Sequence, residues 1–174
     1  MFINYKKKHK EFMEKVGNLA DLAKKDKDVA HVVDTARRLY PVEGRNPSIQ
    51  NLLYIGHYLA TYYATLGTKR NYARTDYEMA ELAFDQIRDG IMIGLLNAKG
   101  GKGGSHTVTE AKASANRSMQ KASVDVALKK HEAAQYETIT TAMERMLSFT
   151  QSALRQLQSE QSHVGINDRG RPQS

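Results

Sequence analysis

A chain of 174 residues with 40% hydrophobic residues, three prolines and no cysteine has the composition of one largely helical domain, and disulfides and thiolate metal sites are excluded. Its net charge of +7 favours a polyanionic partner while saying nothing of fold. The longest apolar run, Ile91 to Leu96, is far short of the roughly 18 residues of a spanning helix, and "MFINYKKKHKEF" has no signal-peptide core, so the expected location is the cytoplasm, the host's if the chain is phage-encoded.

Residues 1–45 read as a group of short helices. Phe12, Val16, Leu19 and Leu22 recur at helical steps, "KKDKD" at 24–28 breaks the pattern, and Asp28 is placed to cap a helix carrying Val29, Val32, Val33, Ala36 and Leu39. "YPVEGRNP" ends it. Asn46-Pro47 then suits a helix start. From there Leu52, Ile55, Leu59, Tyr62, Leu66, Ala73, Tyr77, Ala80, Phe84, Ile87, Ile91 and Leu95 form a coiled-coil-like seam with no strong breaker until Gly100. If continuous, a helix over 48–98 would be roughly 75 Å long, with "TLGTKRN" around Gly67 a place to kink.

"KGGKGG" begins a glycine-rich turn at 99–106. It fails as a phosphate-binding P-loop, which needs G-x-x-x-x-G-K-[ST] between a strand and a helix. Thr107 and Glu110 match a capping box, and a second long helix is expected from about 108 to 160. Its face runs Met119, Ala122, Val126, Ala133, Tyr136, Ile139, Met143, Leu147, Leu154 and Leu157. Residues 161–174 have no apolar period and read as a flexible tail. The expected fold is all-α: a long antiparallel helical hairpin core over 46–160 with a small N-terminal helical cap. Two such helices cannot bury both faces on each other, so a homo-oligomer formed through the seams is expected.

Catalytic signatures are missing. The six histidines are scattered without H-E-x-x-H, no serine sits in G-x-S-x-G, and Asp76, Glu81 and Asp85 fall at helix-surface spacings. The expectation is a non-enzyme with no cofactor and no metal. The best binding candidate is "TKRNYARTDYE", 68–78, where Lys69, Arg70 and Arg74 lie near Tyr72 and Tyr77. Cations follow phosphates and rings stack on unpaired bases, so this mixture suits single-stranded nucleic acid. Lys99 and Lys102, with the glycine amides, form a second candidate contact to a strand. The basic run Lys6, Lys7, Lys8 and Lys10 reads first as a solvated face.

Residues 48–160, from "SIQNLLYIGHYLATYYATLGTKRNYARTDYEMAELAFDQIRDGIMIGLLNAKGG" to "MQKASVDVALKKHEAAQYETITTAMERMLSFTQSALRQLQSE", resemble UvsY-type recombination mediators of tailed phages in pattern, length and element order. The resemblance implies a small helical protein forming ring-like oligomers, binding single-stranded DNA and helping a RecA-like recombinase replace the single-strand-binding protein, with no active site. The family's Lys-x-Arg element before the hairpin is replaced here by "IMIGLL"; Arg88 upstream, or Lys99 and Lys102, would stand in for it. The alternative is a helical structural or adaptor protein, such as a virion component, with no nucleic-acid role.

Overall fold

The computed structural model describes residues 5–39, 48–97 and 108–169. Every element among them is an α-helix: α1 (Tyr5–Gly17), α2 (Ala20–Lys25), α3 (Lys27–Leu39), α4 (Ile49–Asn97), α5 (Val108–Ser118) and α6 (Gln120–Arg169). Helix α4 packs against α6 as a hairpin accompanied by the small N-terminal helices, the expected all-α fold. The chain divides into two compact units, one of residues 1–68 with 135–174, the other of 69–134.

The first unit holds most of the buried apolar side chains. Leu52, Ile55, Leu59 and Leu66 of α4 are buried, as are Ile139, Met143, Met146 and Ala153 of α6. Phe12, Leu19, Leu22, Val29, Val32 and Val33 add the N-terminal layer. These are positions of the three- and four-residue recurrence, which is why the sequence could be read as seams. Removing such a side chain costs transfer free energy plus a cavity, about 2–5 kcal/mol for Leu or Ile to Ala. Two buried hydroxyls sit among them without penalty. Thr140 donates to Tyr136 O at 2.6 Å and Thr150 to Met146 O at 2.7 Å, so each is satisfied within its own helix. Gly56 faces α6, where a Cβ would lie 3.6 Å from Thr150 Cγ2, ordinary contact distance.

One buried carboxylate organises the N-terminal layer. Asp26 stands between α2 and α3, and its Oδ1 accepts the Asp28 and Val29 amides at 2.9 and 3.4 Å. Asp26 is therefore the N-cap of α3, and Asp28, the residue the sequence suggested, lies in the first turn. Both are acidic and adjacent to the break, so spacing alone favoured the wrong one. The other oxygen, Oδ2, accepts the Tyr136 hydroxyl of α6 at 2.7 Å.

Other boundaries also differ from expectation. Helix α4 begins at Ile49 with Ser48 as its cap, the Asn51 amide donating to Ser48 Oγ at 3.1 Å. Asn46-Pro47 and Thr107 of the capping box lie outside the described residues. Helix α4 runs unbroken through Gly67. The second long helix, by contrast, is interrupted at Met119, whose amide is shared between Ala115 O at 3.2 Å and Asn116 O at 3.3 Å. Ser118 and Ser123 hydroxyls take the Ser114 and Gln120 carbonyls at 3.1 and 2.7 Å, and such back-bonding competes with the helical ladder. Helix α6 continues to Arg169, past the expected tail boundary at 161, because propagation adds a hydrogen bond per residue and no proline intervenes before Pro172. Ile87, assigned to the seam, is exposed.

Two outcomes follow for stability. Replacing Asp26 by Asn, or Tyr136 by Phe, should each cost about 1–3 kcal/mol, and the double variant should cost less than their sum, measured by urea unfolding. A Cβ at Gly90 or Gly94 would meet nothing within 4 Å. Gly90→Ala and Gly94→Ala should therefore each stabilise the helix by about 0.5–1 kcal/mol, read as a higher urea midpoint with unchanged m-value.

Candidate nucleic-acid interface

The sequence candidate of 68–78 lies on α4 in the second unit. An α-helix advances about 100° per residue, so Arg70 and Arg74 share a face while Tyr72, two residues from each, stands roughly 200° around from them. The helix therefore separates Tyr72 from Arg70 and Arg74. Tyr72 is 70% exposed and shares its face with Met79, which is 65% exposed. Arg70 directs Nε and Nη2 to Asn71 Oδ1 at 3.3 and 3.2 Å. Arg74 Nε is 2.8 Å from Glu78 Oε1, an exposed i,i+4 pair worth a few tenths of a kcal/mol, about 0.3–0.5. Such a pair is easily exchanged for a phosphate. Lys69 is half-buried.

Tyr77 does lie on the arginine face, but it is engaged. Its hydroxyl donates to Glu81 Oε1 at 2.7 Å, and Lys130 Nζ of α6 lies 5.8 Å from its ring centroid. The Glu81 hydrogen bond first, then desolvation and the charges of Glu81, Glu78 and Asp85, raise its pKa above the ordinary tyrosine value near 10.

Arg88 is not part of this patch. It lies 14 residues beyond Arg74, roughly 21 Å along the helix. Its side chain is only 21% exposed, with Nη1 2.7 Å from Asp85 Oδ1 and Nη2 3.0 Å from Asp89 Oδ1. Its guanidinium also sits 6.0 Å from the Phe84 ring centroid. Two carboxylates already occupy the fork, so Arg88 is a poor substitute for a family phosphate ligand. Lys99 and Lys102 lie outside the described residues.

The first unit contains an aromatic group that the sequence reading passed over. His31 of α3 has its ring centroid 5.8 Å from that of Tyr58 and 5.4 Å from that of Tyr62, and the two tyrosines are 4.8 Å apart. The Tyr58 hydroxyl donates to the His31 carbonyl at 3.0 Å. The signal was the run Tyr54, Tyr58, Tyr62 at four-residue steps, which places three rings along one helical stripe.

The first unit also has a cleft of about 630 Å³ between α1 and α6, with Phe12, Met146 and Phe149 among its apolar residues and Lys8, Lys15 and Arg145 among its cations. Lys8 is paired with Glu11 at 3.3 Å. The cleft's volume would admit a small ligand, but among the described residues no catalytic constellation converges there. Among the described residues no group of three or more His, Asp or Glu side chains could hold a metal ion, and no helix is long and apolar enough to cross a membrane.

No family model, curated protein or solved structure matches the chain.

The Tyr77 environment gives a pH prediction. Because the folded-state pKa is raised, its contribution to stability is fully present below the unfolded value near 10 and is lost as pH rises through the folded value. In ¹³C-tyrosine NMR, Tyr77 should titrate above the ordinary tyrosine value near 10, and Glu81→Gln should lower its midpoint.

Proposed function

We propose that the chain is a non-enzymatic, self-associating helical protein that binds single-stranded DNA and helps a RecA-like recombinase displace the single-strand-binding protein. The observation that carries the DNA-binding part is the Arg70–Arg74 face of α4, where half-buried Arg70 meets the Asn71 amide oxygen and exposed Arg74 meets a solvent-exposed carboxylate. A phosphate can displace these weak partners, and a net charge of +7 favours its approach. Support for the recombination role is the resemblance to UvsY-type mediators over 48–160.

Self-association is supported by exposed apolar side chains of the same helix. Tyr72, Met79, Leu82 and Ile93 are all more than half exposed there. Apolar side chains in such a row are what helical partners cover. The same row favours the second reading, a helical adaptor whose partner is another protein.

Fluorescence anisotropy with labelled oligo-dT separates the two. Binding should be measurable at about 50 mM salt and weaken steeply as salt rises, log K falling by about 0.7 per phosphate neutralised for each unit of log salt. Arg70→Ala with Arg74→Ala should flatten that slope by about 1.4. Absence of binding at about 50 mM salt would contradict the DNA-binding role and leave the adaptor reading.

A further inference from the structure

We propose that His31, Tyr58 and Tyr62 form a stacking platform for unpaired bases of single-stranded DNA, with Lys27 holding an adjoining phosphate. This rests on the DNA-binding reading above and assigns it a second, separate contact in the first unit.

The rings are arranged as a surface, not sealed as a core. His31 is exposed and Tyr58 and Tyr62 are half-buried, whereas the apolar residues beneath them on the same helices, Val29, Val32, Ile55 and Leu59, are fully buried. Tyr54, one turn before Tyr58 on α4, is also exposed and extends the aromatic stripe. The three rings contact one another at tilted or edge-on angles of 41° to 62°.

The platform is preorganised. The Tyr58 hydroxyl is held at 3.0 Å by the His31 carbonyl, so α3 and α4 are tied together at the point where their rings meet. Little side-chain freedom remains to be lost when a base stacks. Stacking on such rings is sequence-tolerant, because every base has a π-face.

The charge around the rings is suited to a backbone that passes on one side. Lys27 is exposed one turn before His31 on α3 and makes no ion pair among the described residues. Asp28 and Asp34 flank His31 at three residues on either side, and Asp34 is engaged by Arg37 at 3.9 Å. A phosphate is therefore favoured toward Lys27 and disfavoured beside Asp28.

The test uses the full chain and oligo-dT, by anisotropy for affinity and by photocrosslinking to 5-bromodeoxyuridine with mass spectrometry for location. His31→Ala and Tyr62→Ala should each weaken binding about ten-fold with the salt slope unchanged, because stacking releases no counterions. Tyr62→Phe should bind like the parent chain, and Lys27→Ala should reduce the slope by about 0.7. Crosslinks should fall on the peptides bearing His31, Tyr58 or Tyr62 in the unaltered protein, a readout that does not depend on any variant folding. If the parent chain binds oligo-dT but its crosslinks fall only elsewhere, or helical variants bind as tightly as the parent, the platform is overturned and the DNA-binding reading stands. If the parent chain does not bind oligo-dT, the DNA-binding reading fails and the platform with it.

Discussion

The arrangement of the first unit depends on one buried carboxylate with two tasks. Asp26 closes the N-terminus of α3 through Oδ1 and receives the Tyr136 hydroxyl of α6 through Oδ2. A helix of 13 residues is marginal alone in water, so α3 needs both its cap and its packing. The tyrosine bond makes the cap a long-range contact, spanning 110 residues of sequence. With α3 held there, Val29, Val32 and Val33 reach the core and His31 is left on the surface against Tyr58 and Tyr62. A local capping interaction thus decides which rings of α3 and α4 meet.

The second unit is built differently. Its buried apolar side chains are Ala111 and Ala115 of α5 and Met119 between α5 and α6, all but the last too small to contribute much apolar area. Contacts such as Lys130 over the Tyr77 ring and the Arg88 clamp between Asp85 and Asp89 supply part of what a larger core would. Each is modest: an exposed cation–π contact is worth about 0.5–1 kcal/mol. A thin interior beside the exposed row Met79, Leu82 and Ile93 is the physical basis of the proposed self-association.

The helices and their inward seams were legible because helical burial imposes a period of about 3.6 residues, and Leu52, Ile55, Leu59, Leu66, Ile139 and Met143 obey it. Boundaries were less so, because capping is decided by geometry between near-equivalent neighbours. Asp26 and Asp28 are both acidic, and only one has its carboxylate turned toward the amides of α3. The interruption at Met119, where one amide is shared between two carbonyls, has no signature in the apolar period. At the candidate interface, proximity in sequence misled: Tyr72 lies among the basic residues of 68–78 yet faces away from Arg70 and Arg74. The aromatic group of the first unit joins residues 27 or more positions apart, and only its α4 half, the tyrosines at four-residue steps, was visible in the sequence.

The central claim is that this helical hairpin holds single-stranded DNA through defined surfaces of α3 and α4. Amide hydrogen exchange on the full chain, with and without oligo-dT at low salt, tests it most directly. The account predicts slower exchange confined to the segments around 27–31, 58–62 and 69–74, and its disappearance when salt is raised. Identical exchange throughout the chain with and without the oligonucleotide would contradict it.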